Sequence, residues 1–133
     1  MKKIVLPEYD SIPSVGLYLD QVNRYINDVT ENGLTPTMIT NYVKLKIVPK
    51  GVKKMYSKEQ IAMFIMISYS KSILSMDQIK TIFEHYQVIE KTQNVYELFK
   101  SGIEGMNIKD ETIATLTTNI LNKIKLDEAI SKL

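Results

Sequence analysis

From Ile61 to Ile67 the chain reads Ile-Ala-Met-Phe-Ile-Met-Ile, without one polar side chain. Ser57 with Gln60 forms a capping-box pattern just ahead of this run and opens a helix to about Lys71. On that helix Ile61, Phe64, Ile65 and Tyr69 share a face, and Met63, Met66 and Ile67 widen it. A helix apolar over so much of its circumference belongs at the centre of a core, enclosed by other elements. The run is far shorter than the ~18 apolar residues of a membrane helix, so no membrane span is expected. With 133 residues the chain has the length of one domain, long enough to bury about two thirds of its unfolded surface without staples.

Composition narrows the chemistry. There is no cysteine, which excludes disulfides, thiolate metal sites and a cysteine nucleophile. His85 is the one histidine, which excludes a multi-histidine metal site and a two-histidine relay. No Gly-rich phosphate loop and no nucleophile motif occurs, so no catalytic residue, metal or cofactor is assigned. The start, Met1-Lys2-Lys3-Ile4-Val5-Leu6-Pro7, has a basic tip but no apolar run of signal-peptide length. The expectation is a soluble, cytoplasmic protein that is not an enzyme.

Prolines and capping residues divide the rest. Residues 1–13 hold Pro7 and Pro13 and no helical period, and read as an extended arm. From residue 14 to about 30, Val15, Tyr18, Leu19, Val22, Ile26 and Val29 make a helical stripe, stopped by Asn32-Gly33. Thr35 as N-cap and Pro36 at the first helical position open a second, short helix to about Leu45. Pro49 and Gly51 mark a turn, and Ile47-Val48 with Lys54-Met55-Tyr56 predict a small β-hairpin around it. After the central helix, Ser75 with Gln78 opens a fourth, carrying Ile79, Ile82, Phe83 and Tyr86. A fifth carries Val95, Leu98, Phe99 and Ile103; a sixth carries Ile113, Leu116, Ile120 and Ile124.

Charge is distributed unevenly. Between Asn32 and Ser57 there is no acid and there are five lysines, Lys44, Lys46, Lys50, Lys53 and Lys54; Lys58 follows. Taking those six from 17 basic residues leaves 11, against 15 acidic ones. An acidic body with one basic patch suggests a polyanionic partner.

Two helices, a tight turn and a hairpin outline a winged helix-turn-helix, whose second helix enters the major groove. On that helix Thr37, Thr40, Asn41 and Lys44 fall at i, i+3, i+4 and i+7 and form one polar face. Met38, Ile39, Tyr42 and Val43 form the other. Asn41 can pair with adenine, Lys44 with guanine or phosphate, and the threonines with phosphates or thymine methyls. Lys50, Lys53, Lys54 and Tyr56 would hold the DNA backbone from the wing. The same helix also fits an ordinary amphipathic helix with a solvated side, and Tyr56 a core-edge aromatic.

The stretch Leu34-Thr35-Pro36-Thr37-Met38-Ile39-Thr40-Asn41-Tyr42-Val43-Lys44, then Ile47-Val48-Pro49-Lys50 and Lys53-Lys54-Met55-Tyr56-Ser57, resembles an uncharacterised family of Gram-positive bacterial proteins, a domain of unknown function. Leu17-Tyr18-Leu19-Asp20-Gln21-Val22 resembles that family's other motif, and the likeness covers about residues 5–90. More distantly, the same segments are similar to the DNA-binding domain of MerR-type transcriptional regulators. There a Thr-Leu-Arg-Tyr-Tyr helix leads to a Gly-Leu-Leu-Pro turn, an arginine-rich wing and a Tyr-Ser step into the next helix. Tyr42 matches the second tyrosine, Ile47-Val48-Pro49 the turn, Tyr56-Ser57 the wing exit and Ser75-Met76-Asp77-Gln78-Ile79 a later helix start. The chain departs from that pattern at Thr40, Asn41 and Lys46, the last standing where the family has glycine, and its wing is shorter.

The resemblance implies a mainly α fold, a MerR-like winged helix-turn-helix with a small β-hairpin wing and additional C-terminal helices. Residues 1–90 would form the DNA-binding domain with its arm, and residues 91–133 a segment that dimerises or completes the core. The partner implied is double-stranded DNA, bound by a homodimer acting as a transcriptional regulator. Two other readings stand beside it: a protein-interaction module whose lysines meet an acidic partner, and an excisionase-like architectural protein that bends DNA with little base readout.

Overall fold

Six α-helices and one short 3-10 turn, Tyr9–Ser11, form in the computed structural model, which describes residues 3–133. The helices are α1 (Leu19–Val29), α2 (Pro36–Lys44), α3 (Lys58–Ser70), α4 (Met76–His85), α5 (Val88–Ile103) and α6 (Glu111–Ser131). α3 is the apolar run, and every residue from Gln60 to Ser70 is buried. Its two interior serines are satisfied by their own helix: Ser68 Oγ donates to the Ile65 carbonyl and Ser70 Oγ to that of Met66. Neither therefore carries an unpaired hydroxyl into the core.

α5 and α6 lie together against α3, while α1 and α2 pair and α1 also touches α3. One apolar cluster runs through the whole molecule, from Ile4 and Leu6 in the arm to Leu116 and Ile120 on α6. α5 and α6 approach closely because Gly102 has no Cβ; one built there would lie 2.2 Å from Thr117 Oγ1. The arm is extended only in part, at Glu8 and Ile12 on either side of the Tyr9–Ser11 turn, and it is fixed to α5. Leu6 N–H donates to Glu104 Oε2 at 3.0 Å and Tyr96 Oη donates to the Pro7 carbonyl at 2.8 Å.

Helix starts follow the capping signals. Ser57 and Ser75 each accept from the backbone N–H three residues on, and Gln60 and Gln78 reach back to the serine N–H. Thr35 Oγ1 accepts from Met38 N–H, with Pro36 beside it. α1 is shorter than its stripe predicts: it begins after Tyr18, and Val15 is exposed in the extended segment before it. α1 also ends before Asn32-Gly33, at Val29.

The expected winged helix-turn-helix with a β-hairpin wing does not form. Among the described residues there is no strand, sheet or hairpin, only two isolated bridges, Leu17 with Tyr56 and Val52 with Met55. The physical reason lies in the hydrogen bonds of Ile47 and Val48. Both N–H groups donate to the Tyr42 carbonyl, at 2.9 and 3.2 Å, so this pair closes the end of α2 instead of starting a strand. The opposite arm is diverted as well, since Tyr56 exchanges both backbone hydrogen bonds with Leu17. One bridge is left to close the turn at Lys53-Lys54.

Candidate nucleic-acid interface

α2 is held at a fixed angle by its entry and its exit. At the entry, Asn27 on α1 clips the connecting loop: its Oδ1 accepts from Leu34 N–H at 3.0 Å and its Nδ2 donates to the Leu34 carbonyl at 3.2 Å. Gly33 makes room for this clip, having a φ of +43° and a Cβ position only 2.1 Å from Asn27 Oδ1. Tyr69 Oη on α3 accepts from Glu31 N–H and ties the same loop to the central helix. At the exit, Lys46 N–H donates to the Val43 carbonyl and Ile47 N–H to that of Tyr42, the paired bonds of a Schellman motif. Lys46 has a φ of 61°, so a lysine occupies the left-handed position where glycine is usual.

Between the two ends, Ile39 and Tyr42 are buried and Val43 is half-buried, while Met38 is exposed. Burial raises the Tyr42 phenol above its ordinary pKa. Thr37, Thr40 and Lys44 are exposed and Asn41 is half-buried, so the polar face reaches the surface. Thr40 Oγ1 donates to the Thr37 carbonyl at 2.9 Å and to the Pro36 carbonyl, so its proton is committed to its own helix. The Asn41 amide makes no hydrogen bond among the described residues and is free to pair outward.

The lysine-bearing turn is Val52-Lys53-Lys54-Met55. Val52 N–H donates to the Met55 carbonyl and Met55 N–H to that of Val52, at 3.0 and 2.9 Å. Lys53 and Lys54 have φ values of 52° and 64°, as a two-residue turn of type I′ requires. Those positions usually hold Asn-Gly, because each left-handed non-glycine residue costs roughly 1–2 kcal/mol. Gly51 lets the chain fold back here, since a Cβ on it would lie 2.6 Å from the Met55 carbonyl oxygen.

Gln60 anchors the turn to α3. Its Oε1 accepts from Ser57 N–H at 2.7 Å, and its Nε2 donates to the Pro49 and Lys50 carbonyls at 2.8 and 3.2 Å. One buried side chain thus completes the helix cap and holds the basic loop.

Lys50, Lys53 and Lys54 are all exposed. Tyr56 is not: it is 9% exposed, its ring stands edge-on to Phe64 at 5.6 Å, and its backbone belongs to the bridge with Leu17. It lines the cleft beside Lys50 and Lys53 but presents little surface there. Lys58 is drawn towards the arm, its Nζ lying 5.2 Å from the Tyr9 ring centroid and 3.5 Å from the Asp10 carbonyl. Lys44, Lys46 and Lys50 line one open cleft of 580 Å³, and Lys50 and Lys53 line a neighbouring one of 540 Å³. None of Lys44, Lys46, Lys50, Lys53 and Lys54 forms an ion pair among the described residues.

Sequence reading missed Lys46 and Gln60 as organisers of this surface. The glycine departure at position 46 was the available signal for the first. For Gln60 the capping pattern was visible, but not the reach of its amide to a loop ten residues earlier.

Elsewhere Asp110 has a structural role. Asp110 Oδ1 caps α6 by accepting from Ile113 N–H and also accepts from Tyr86 Oη. His85 is exposed beside the Tyr86 ring. Among the described residues no group of three or more His, Asp or Glu side chains is placed to hold a metal ion, and no helix is long and apolar enough to cross a membrane.

Residues 7–101 match a family described as a domain of unknown function (DUF1836). The match takes in the arm from Pro7 onward, α1 to α4, the lysine turn and nearly all of α5, and the chain belongs to this family. No curated protein and no solved structure matches it.

Proposed function

We propose that the chain is a DNA-binding transcriptional regulator that meets duplex DNA through α2 and the lysine turn, without a β-hairpin wing. The observation that carries this reading is the state of the five lysines from Lys44 to Lys54. They stand in an acid-free segment, are unpaired, and three of them occupy left-handed backbone positions that disfavour any side chain. Strain of this kind persists where the surroundings hold it and clusters at functional positions. Thr37, Asn41 and Lys44 supply the base-facing groups, and Lys50, Lys53 and Lys54 the phosphate contacts. The likeness of residues 34–57 to MerR-type regulators supports the same assignment. A DNA partner implies a cytoplasmic location. A homodimer is part of the proposal, supported by Leu126 and Ile130, which lie four residues apart on α6 and are each 55% exposed.

The test is fluorescence anisotropy with a random-sequence duplex from about 50 to about 200 mM salt. The control variant is Lys53→Asn/Lys54→Gly, which removes both charges while giving the turn its preferred residues. Binding should weaken steeply with salt and be largely lost in the variant, although the variant is at least as stable as the parent. Absence of binding at low salt sinks the proposal. Steep salt dependence with no preference for any selected sequence would favour the architectural reading. Sedimentation velocity on the same samples reports the dimer.

A further inference from the structure

Ile89 is an isoleucine with 63% of its surface in solvent, at the point where three clefts meet. It is turned outward by the backbone on either side. Gln87 has a φ of 50° and Lys91 leaves the helical region at φ −126°, so residues 88–90 form a single isolated turn. Within it Val88 is buried at 1% exposure and Ile89 faces out. Scattered single apolar residues on a surface need no explanation. This one is not isolated: the 580 Å³ cleft beside it is floored by Val43, Ile47, Val48 and Pro49, and the 540 Å³ cleft by Met55 and Met63. The two clefts share Pro49, Lys50 and Ile89 and so form one groove across the basic surface. Its charged lining is Lys44, Lys46, Lys50 and Lys53 against Glu59; the third cleft, beyond Ile89, adds Lys80, Glu84 and Glu90.

The lysine rim suits any polyanion, but the apolar floor finds nothing to bury on a phosphate backbone, which offers charge and little apolar surface. It is well matched to a peptide carrying both. We infer that this groove binds an acidic amphipathic peptide segment of a protein partner. Its apolar side chains would cover Ile89, Val43 and Pro49, and its carboxylates would meet Lys44, Lys46 and Lys50. Because Lys44 and Lys50 are also assigned to DNA, peptide and duplex exclude one another; only that competition rests on the DNA reading, and the peptide site stands without it.

The experiment selects a phage-displayed library of random short peptides on the full chain, then measures a labelled synthetic copy of the enriched sequence by anisotropy. Expected are sequences that combine Asp or Glu with large apolar residues. Their affinity should fall about tenfold or more in Ile89→Ser and in Lys50→Glu, as removal of a central anchor does, and recover in Ile89→Leu. Ile89 is exposed, so these variants should keep the parent's thermal unfolding. The same peptide should displace duplex DNA from the wild-type chain. Absence of enrichment, or peptides indifferent to Ile89→Ser, overturns the inference. So does Ile89→Ser losing DNA binding, which would assign the isoleucine to the DNA interface. Concentration-dependent self-association abolished by Ile89→Ser overturns it too, in favour of a second copy. Peptide binding without any duplex binding would refute the DNA reading and leave the peptide site intact.

Discussion

Lys46 shows how a single residue can carry two opposed demands. Its backbone closes α2 through the Schellman bonds, which require a left-handed residue, and its side chain joins the basic rim. Glycine would satisfy the first demand without strain. Lys46→Gly should therefore raise the stability of the folded chain by about 1 kcal/mol, the left-handed penalty less glycine's greater freedom when unfolded. Urea denaturation should show a higher midpoint at an unchanged slope. A lower midpoint would mean that the lysine stem contributes more by packing on Ile47 than the backbone loses. The substitution should at the same time weaken binding of a polyanion, because one rim charge is gone.

At the scale of elements, the end of α2, the turn and the start of α3 are coupled through Gln60. Gln60→Ala removes the acceptor for Ser57 N–H and the donor to the Pro49 and Lys50 carbonyls. The expected cost is about 1–2 kcal/mol, a helix cap and hydrogen bonds partly replaced by water. Exchange of the Ser57 amide with solvent should accelerate, and the duplex binding proposed above should weaken without loss of any lysine. Unchanged exchange at Ser57 would show that the clamp does not hold the loop. Much of this region was legible in the sequence. The pairs Ser57/Gln60 and Ser75/Gln78 and the Thr35-Pro36 step marked their helices because capping is local chemistry, settled within one turn. The uninterrupted apolar run identified the central helix for the same reason. The wing was not legible, because β-pairing is a choice of partner. Ile47-Val48 and Met55-Tyr56 have strand composition, but the first pair bonds to Tyr42 and Tyr56 bonds to Leu17, nearly forty residues back. Composition cannot report that choice. The polar face of α2 was legible from its spacing, whereas for Tyr56 the sequence left a phosphate contact and a core-edge aromatic both open, and the choice depended on where Phe64 came to lie.

For the whole molecule, the arm and α5 form a clasp whose strength depends on pH. Lys100 lies between Glu104 at 2.8 Å and Glu8 at 3.4 Å, and Glu104 also receives the Leu6 N–H. The hydrogen bond it donates to Glu104 holds the Lys100 ammonium above its ordinary value of 10.5. Beside it, burial pushes the Tyr96 phenol far above 10.0, with its hydroxyl donated to Pro7. Burial likewise raises Tyr9 and Tyr69. All these groups bind protons more tightly when folded than when unfolded. Above about pH 10 the unfolded chain therefore holds fewer protons than the native one, and stability falls as pH rises. The Lys100 contribution is complete below its unfolded value and disappears as pH passes through the folded one. Urea midpoints should thus fall steadily from about pH 9.5 upward. Tyr96→Phe should be less stable at neutral pH by about 1 kcal/mol, for the hydrogen bond to Pro7, and should lose stability less steeply in alkali. If the variant and the parent fall with the same slope, Tyr96 ionises in the native state and the arm is not closed over α5. The arm also touches the start of α3, where the Lys58 ammonium rests on Tyr9 and on the Asp10 carbonyl. Opening the clasp in alkali should loosen this contact while the fold around α3 is still intact. Hydrogen exchange at pH values just below the transition should therefore show Leu6 N–H, which donates to Glu104, unprotected before the amides of α3.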